Sequence, residues 1–205
     1  MIKAVIFDLD GVISDTAVLH FNAFNSAVEE MLGQTVLFED YEAVGTLPTT
    51  GRIKAMATKG MIPNEPEKFK DLYDLKQVYT YKYLGDAQAD TKLQRLLINL
   101  RTENISLAVA SNASCKFVNE ILDRKKIQSH FKSVIGSCDV DHCKPNPEMY
   151  LETMRRLRVK PEETVIVEDS VTGIIAGYRS GAYVYRVESP EYVDDRLLDL
   201  VRGFK

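Results

Sequence analysis

Short apolar segments rich in β-branched or aromatic residues recur along the chain. They lie at residues 3–8, 105–111, 133–137, 164–169 and 182–187. The first segment, KAVIFD, contains an unbroken apolar run, which is typical of a strand covered on both faces in a parallel sheet. Segments with helical periodicity separate the later strands, around 115–125, 147–157 and 170–180. This alternation predicts an α/β fold with a Rossmann-like parallel sheet and helices on both faces.

The region between the first two predicted strands interrupts this alternation. Helical patterns occupy it, near 16–32, 52–60 and 66–84. Ser14 or Asp15 is the expected N-cap of the first of these helices, because both side chains can accept a hydrogen bond from a free backbone N–H. The sequence therefore predicts an all-helical cap domain over residues 17–87, inserted into a catalytic α/β core formed by residues 1–16 and 88–205.

The helix expected near 170–180 contains glycines spaced four residues apart. On a helix, Gly173 and Gly177 would share one face and allow a close approach to the sheet. Gly181 is expected to end the helix, because glycine readily adopts the left-handed conformation of a C-terminal cap.

Composition limits the kinds of partner and the compartment. The net charge of −4 gives no electrostatic attraction to nucleic acid or to an anionic membrane. No early stretch has the pattern of a signal peptide, and no apolar run approaches about 18 residues. We therefore expect a cytoplasmic protein with no nucleic-acid or membrane partner, and a monomer is favoured. Its cysteines lack the short paired spacing of zinc sites and are expected to be buried or idle thiols: Cys115, Cys138 and Cys143.

Polar residues stand at the carboxyl ends of the predicted strands, the edge where ligands bind in open parallel sheets. Asp8 and Asp10 follow the first strand and lie on the same side of an extended backbone. The later strands and their connections contribute Ser111, Asn112, Lys144, Glu168 and Asp169. Carboxylates, a hydroxyl and a lysine thus converge, and so much negative charge requires a cation.

Oxygen ligands without histidine or cysteine favour a hard cation, and Mg²⁺ is the expected cofactor. A magnesium ion beside a lysine and a hydroxyl forms a receptor for a phosphate group, and phosphoryl transfer needs mainly positioning and charge neutralisation. A carboxylate can attack the phosphorus and form an aspartyl-phosphate. A second carboxyl can move the proton if its pKa exceeds the ordinary value of about 3.9. We expect Asp8 to attack and Asp10 to transfer the proton.

Taken alone, each of these motifs also occurs in sites of a different kind. Aspartate pairs are found in turns, in the metal–nucleotide sites of glycosyltransferases and in calcium loops. The calcium loop is excluded because Val12 stands where a third ligand is required and no glutamate closes a loop of the right length. Glu168 and Asp169 could instead be an acidic pair favoured by a helix N-terminus.

Four motifs, in this order along the chain, resemble those of a known family. FDLDGV, VASN, KPNP and VEDSVTG resemble the motifs of the haloacid dehalogenase superfamily of phosphotransferases. The resemblance spans the whole chain, includes a helical cap inserted after the first motif, and is closest to the branch of β-phosphoglucomutase and sugar-phosphate phosphatases.

The resemblance implies a role for each residue of the predicted site. Asp8 resembles the nucleophile, and Asp10 resembles the acid/base residue whose backbone carbonyl also binds magnesium. Ser111 and Lys144 resemble the pair that holds the phosphate. Asp169 resembles a direct magnesium ligand. For Glu168 the resemblance allows either a direct ligand or a residue of the outer shell. The implied metal-binding set is therefore Asp8, Asp10, Glu168 and Asp169.

Three further residues are expected to contact the substrate. His20, in TAVLHFNAF, resembles a histidine that faces the active site in mutases and sugar phosphatases. Arg52, in GTLPTTGR, lies where such caps carry a substrate-selecting loop. Asn112 directly follows the serine of the phosphate-holding pair. A structural histidine and a solvated arginine are the alternatives for the first two.

Two departures from β-phosphoglucomutases favour a phosphatase. The segment TLPTT follows the cap glycine, Gly45, and intervenes before Arg52, whereas the mutases keep an arginine close by. After Ser111 the mutases carry a Ser-Lys-Asn-like cluster, but here Asn112 follows and the lysine is displaced to Lys116. We therefore predict a magnesium-dependent phosphatase of a small phosphorylated metabolite. A sugar phosphate is favoured over phosphoglycolate or a nucleotide monophosphate. A phosphosugar mutase is the alternative, and a non-catalytic phosphate-binding protein is a minor one.

Overall fold

The computed structural model describes residues 1–45, 47–84 and 91–204. The chain divides into two compact units: Met1–Asp15 together with Ala87–Lys205, and Thr16–Asp86. The boundary predicted between residues 87 and 88 lies outside the described residues. None of the described helices is long and apolar enough to cross a membrane.

The first unit contains one five-stranded sheet. Its strands are β1 (Ala4–Phe7), β2 (Ser106–Ala110), β3 (Ser133–Ile135), β4 (Thr164–Glu168) and β5 (Tyr183–Arg186). All paired strands are parallel, in the order β3-β2-β1-β4-β5. This topology confirms the predicted α/β, Rossmann-like fold. Since β1 lies between β2 and β4, the strand order reverses beside it, which is where open α/β sheets bind their ligands.

Helices make up most of the remaining described structure. They are α1 (Ala17–Leu32), α2 (Phe38–Glu42), α3 (Thr49–Thr58), α4 (Phe69–Tyr83), α5 (Thr91–Thr102), α6 (Cys115–Arg124), α7 (Glu148–Leu157), α8 (Val171–Ser180) and α9 (Asp195–Gly203). The second unit, α1 to α4, has no strand among its described residues and packs around its own apolar core, which includes Phe24, Tyr41 and Met56. In the first unit, α7 and α8 pack against a sheet whose β1 residues are all buried.

The start of α1 differs from the prediction. Thr16 is the N-cap residue, and it makes no capping hydrogen bond through its side chain. Ser14 is held in the preceding turn instead, because its N–H donates to Leu9 and its carbonyl accepts from Gly11. The expectation that Ser14 or Asp15 caps this helix is therefore wrong.

The cysteines also differ from the prediction. Cys115 and Cys138 form a disulfide with their Cα atoms 5.9 Å apart, and Cys143 is free and partly buried. Cys115 and Cys138 are 23 residues apart in sequence. Strands β2 and β3 are neighbours in the sheet, so the segments that follow these two strands lie close together. Gly136 allows this approach, because a Cβ there would lie 2.7 Å from the backbone nitrogen of Cys115.

The glycines of α8 behave as predicted. Gly181 ends the helix with a φ of 82°, and both Gly173 and Gly177 lie buried against the sheet. A Cβ at Gly173 would lie 1.8 Å from Oε1 of Glu168, at the end of β4. The small residues of α8 therefore allow the helix to pack directly on the strand that ends in Glu168.

An alanine at Gly177 is expected to lower the free energy of unfolding by about 1–3 kcal/mol through overpacking. Its Cβ would lie 2.7 Å from Cγ2 of Val184 in β5. The matched control is Gly203→Ala at the end of α9, where a Cβ would meet nothing within 4 Å, so stability should be unchanged or slightly raised. Urea unfolding of both variants measures the difference. Equal stability of the two variants would contradict the close packing of α8 on β5.

Candidate active site

The predicted site residues of the first unit stand at the carboxyl edge of the sheet. Phe7, the last residue of β1, is in register with Val109 and Val167 on the two neighbouring strands. The residues that follow these positions therefore meet at one edge. They are Asp8 after β1, Ser111 and Asn112 after β2, and Glu168 and Asp169 at the end of β4.

Lys144 reaches this edge from the connection between β3 and α7. Its backbone N–H donates to Oδ1 of Asn112 at 2.9 Å, and the side-chain amide of Asn112 donates to the Lys144 carbonyl at 3.3 Å. This reciprocal pair fastens the lysine loop to the end of β2. Both polar ends of the Asn112 side chain thus hold Lys144.

The ammonium group of Lys144 lies buried between two carboxylates. Nζ donates to Oδ1 of Asp8 at 2.6 Å, to Oε1 of Glu168 at 2.6 Å and to the carbonyl of Ala110 at 2.9 Å. Burial opposes the charge of this lysine, but Asp8 and Glu168 outweigh burial and raise the pKa of Lys144 well above its ordinary value. Lys144 is therefore a fixed cation that contacts the predicted nucleophile.

Asp8 is buried under unfavourable electrostatic conditions. Burial raises the pKa of Asp8 well above its ordinary value, and the charges of Glu168 and Asp10 add to this effect while Lys144 opposes it. One lysine thus does not neutralise the carboxylates that surround it. Additional positive charge at this edge would favour the ionised, nucleophilic form of Asp8.

Both carboxylate oxygens of Glu168 accept hydrogen bonds from the protein. Oε1 accepts from Lys144 and, at 2.6 Å, from the hydroxyl of Tyr150. Oε2 accepts from the backbone N–H groups of Asp169 and Ser170, both at 3.1 Å, and from the Ser170 hydroxyl at 3.0 Å. Burial opposes the charge, but Lys144 and these hydrogen bonds lower the pKa of Glu168 below its ordinary value. Glu168 is therefore a rigid anion that organises the residues around it.

Asp169 differs from Glu168 because one of its carboxylate oxygens accepts no hydrogen bond from the described residues. This oxygen, Oδ1, is buried. Burial and the charge of Glu168 raise the pKa of Asp169 to about 6. Gly11, with a φ of +79°, leaves room for this carboxylate, because a Cβ at Gly11 would lie 2.0 Å from Oδ2 of Asp169.

This cluster fits a hard divalent cation. Asp8, Glu168 and Asp169 each offer a carboxylate oxygen, and these oxygens all lie within 4.8 Å of one another. Oxygen donors suit Mg²⁺, and a buried oxygen without a donor is what a bound cation would satisfy. Asp10 is not part of this carboxylate group. The family resemblance implies that Asp10 would bind the metal through its backbone carbonyl and not through its side chain.

Ser111 and Asp10 complete the predicted site on this unit. The Ser111 hydroxyl is buried and accepts from the backbone N–H of Ala113 at 3.1 Å, which leaves its own hydrogen as a donor. Asp10 lies in the turn after β1, where it forms a backbone bridge with Ser14. The half-buried position of Asp10 is compatible with proton exchange.

The two residues of the helical unit that are predicted to contact the substrate, His20 and Arg52, interact with other residues of the same unit. Nδ1 of His20 on α1 lies 3.1 Å from Nζ of Lys76 on α4, and Lys76 is buried. The guanidinium of Arg52 donates to the carbonyls of Leu47, at 2.8 Å, and Gly45, and it lies 4.7 Å from the ring centre of Tyr41. Arg52 thus stabilises the loop that precedes its own helix.

Sequence reasoning missed three residues of these networks: Tyr150, Ser170 and Lys76. The hydroxyl of Ser170 has a second contact, because it also caps α8 by accepting from the N–H of Gly173. A serine after an acidic pair is a recognisable N-cap signal. For Tyr150 and Lys76 the sequence offers no comparable signal. Tyrosines and lysines are common in helices, where most of them have no role in an active site.

Comparisons with known proteins identify the family of the chain. The sequence model of haloacid dehalogenase-like hydrolases matches residues 5–187. The phosphorylated carbohydrates phosphatase of Thermotoga maritima is 28% identical over 179 residues, covering 87% of this chain and 82% of the relative. β-Phosphoglucomutase of Bacillus subtilis (strain 168) is 30% identical over 195 residues, covering 90% and 83%.

A solved structure shows the same fold. The crystal structure of β-phosphoglucomutase from Clostridium difficile matches with a TM-score of 0.83 at 21% identity, covering 100% of this chain and 98% of that chain. The family match and the named relatives confirm both the predicted family and the predicted class of enzyme. The chain belongs to the haloacid dehalogenase-like hydrolases, in the branch that includes β-phosphoglucomutase and the phosphatases of phosphorylated carbohydrates.

Proposed function

We propose that this enzyme is a magnesium-dependent phosphatase that hydrolyses a small phosphorylated metabolite, with a sugar phosphate as the favoured substrate. The observation that carries the proposal is the position of Lys144, whose Nζ contacts Asp8 and Glu168 at 2.6 Å beside the buried Oδ1 of Asp169. A fixed cation and carboxylates at one sheet edge suit the transfer of a phosphoryl group to an aspartate.

In the proposed reaction, an oxygen of Asp8 attacks the phosphorus, and the bond between phosphorus and the leaving oxygen breaks. Lys144 and the Ser111 hydroxyl hold the phosphoryl oxygens and offset their charge. Asp10 donates a proton to the leaving oxygen, so that the dephosphorylated product departs as an alcohol. Asp10 then accepts a proton from water, which attacks the aspartyl-phosphate and releases inorganic phosphate.

The metal would be held by Asp8, Asp169 and the backbone carbonyl of Asp10. When bound, Mg²⁺ supplies positive charge that neutralises the carboxylates and the phosphoryl group. Because both oxygens of Glu168 already accept hydrogen bonds from the protein, we assign Glu168 to the outer shell, where it orients Lys144.

Two observations support a phosphatase over a mutase. The Arg52 guanidinium is held by carbonyls of its own loop, and the Asn112 amide is held by the Lys144 backbone. Each of these side chains is therefore engaged by the protein itself and is not available to bind a second phosphate group. The mutase is the second candidate, because β-phosphoglucomutase of Bacillus subtilis is 30% identical over most of both chains.

We propose that residues 17–87 form a cap that selects the substrate, with residues 1–16 and 88–205 as the catalytic core. The His20–Lys76 pair supports this role, since a buried lysine beside a histidine can supply positive charge to a phosphorylated ligand. In this proposal His20 helps to select the substrate, whereas Asp8 and the residues at the sheet edge carry out the phosphoryl transfer.

A screen of phosphorylated metabolites for phosphate release with Mg²⁺, using wild type and His20→Ala, tests the proposal. We expect sugar phosphates to be hydrolysed fastest, and the variant to show altered substrate preference. With β-glucose 1-phosphate and a trace of the bisphosphate, free phosphate should accumulate faster than glucose 6-phosphate. Isomerisation that outruns phosphate release a hundredfold, about 2.7 kcal/mol of discrimination between acceptors, would identify a mutase.

A further inference from the structure

Tyr150 contacts the active-site network but has no part in the proposed reaction. It lies in the first turn of α7 and is fully buried. Its hydroxyl donates to Oε1 of Glu168 at 2.6 Å, and the centre of its ring lies 4.8 Å from Nζ of Lys144. One side chain therefore contacts both partners of the buried ion pair.

The two contacts of Tyr150 are complementary. Oε1 of Glu168 accepts from both Tyr150 and Lys144, so the tyrosine hydroxyl fixes the oxygen toward which the ammonium group is directed. The ring presents its electron-rich face to the same ammonium group through a cation–π contact. Together they restrict Nζ of Lys144 to the position from which it also donates to Asp8 at 2.6 Å.

Packing alone does not account for the hydroxyl group. Tyr150 belongs to an apolar cluster that includes Met149, Met154 and Ile166. A phenylalanine would occupy nearly the same volume there and would bury no polar group. The hydroxyl is instead aimed at a carboxylate of the active site.

We propose that Tyr150 is a positioning residue that holds Lys144 and Glu168 in the arrangement in which Lys144 contacts Asp8. This inference rests on the proposed function, because the contact matters for catalysis only if Asp8 is the nucleophile. Tyr150 is fully buried, and it acts through the lysine and the glutamate.

The test compares Tyr150→Phe with Thr153→Val. Thr153 is also buried on α7, but its hydroxyl donates to the backbone carbonyl of Met149 and does not contact the site. We expect Tyr150→Phe to lower kcat about tenfold or more with KM nearly unchanged, as for other residues that orient a group in direct contact with the chemistry. Thr153→Val should keep the wild-type kcat.

A second readout does not depend on activity. The Nζ resonance of Lys144, recorded by ¹⁵N NMR of lysine ammonium groups and assigned with Lys144→Arg, should be protected from exchange in the wild type. Tyr150→Phe should shift this signal and speed its exchange, and Thr153→Val should leave it unchanged. If no substrate is hydrolysed even by the wild type, the proposed function fails, and the NMR comparison still decides whether Tyr150 positions Lys144.

Two results would overturn the inference. One is a Tyr150→Phe variant that keeps both the wild-type kcat and the wild-type Lys144 signal. The other is a loss of activity that follows the loss of stability in the same way in Tyr150→Phe and in Thr153→Val. That result would show that Tyr150 contributes only to packing. Thermal unfolding of both variants supplies the stability values for this comparison.

Discussion

Replacing Asp8 with asparagine is expected to leave less than about a hundredth of the wild-type phosphatase activity. The amide keeps the shape of the carboxylate and an oxygen that can accept from Lys144, which Asp8 does at 2.6 Å. It lacks the charge and the nucleophilicity needed to attack phosphorus. Phosphate release at saturating substrate, measured beside the melting temperature, separates lost chemistry from lost folding.

The matched control is Asp123→Asn, because Asp123 is an exposed carboxylate on α6 of the same unit and lies outside the proposed site. It should keep nearly full activity. An Asp8→Asn variant that is folded and retains more than a hundredth of the activity would exclude the aspartyl-phosphate mechanism. Loss of folding in this variant is not expected, because Glu168 still pairs with the buried ammonium group of Lys144.

The active-site edge was predictable because the chain marks its strands clearly. The apolar run before Asp8 and the run that ends at Glu168 identify central strands, and parallel strands place their carboxyl ends together. Lys144 is a different case. It follows no strand directly, and only its place in the ordered motifs pointed to this edge. Its docking depends on Asn112, which is 32 residues away in sequence.

Two helices outside the predicted alternation also follow simple sequence patterns. Helix α5 has its buried leucines at Leu93, Leu96, Leu97 and Leu100, which is the spacing of one helical face. Helix α9 begins after Asp194, whose side chain caps it. Both obey the ordinary rules for amphipathic helices and N-caps, so both were predictable in principle.

Contacts between distant side chains could not be predicted in the same way. The Tyr150–Glu168 and His20–Lys76 pairs join residues on different elements, and nothing in either local sequence specifies the partner. The carbonyl contacts of Arg52 depend on the path of its loop, which an arginine in a polar segment does not determine. Such contacts form only when the packing of the elements fixes the geometry.

Removal of divalent metal is expected to lower phosphatase activity more than a hundredfold, and Mg²⁺ should restore it. The physical reason is the charge balance, since Asp8, Glu168 and Asp169 lie together around one lysine and Oδ1 of Asp169 has no hydrogen-bond donor among the described residues. Without a cation, burial raises the pKa of Asp8 and works against its ionised form. Activity assays after EDTA treatment, with Mg²⁺ or Ca²⁺ added back, measure the effect.

Calcium should restore little of this activity, because Ca²⁺ prefers more ligands at longer distances than the octahedral coordination of Mg²⁺. A binding measurement separates metal affinity from catalysis: Mg²⁺ should raise the melting temperature of the wild type, since a ligand of the native state stabilises it. Asp169→Asn should lose most of this stabilisation, whereas Asp123→Asn, in the same unit, should keep it. Full activity in metal-free buffer, or equal stabilisation of the two variants by Mg²⁺, would show that the carboxylates around Lys144 are neutralised in another way.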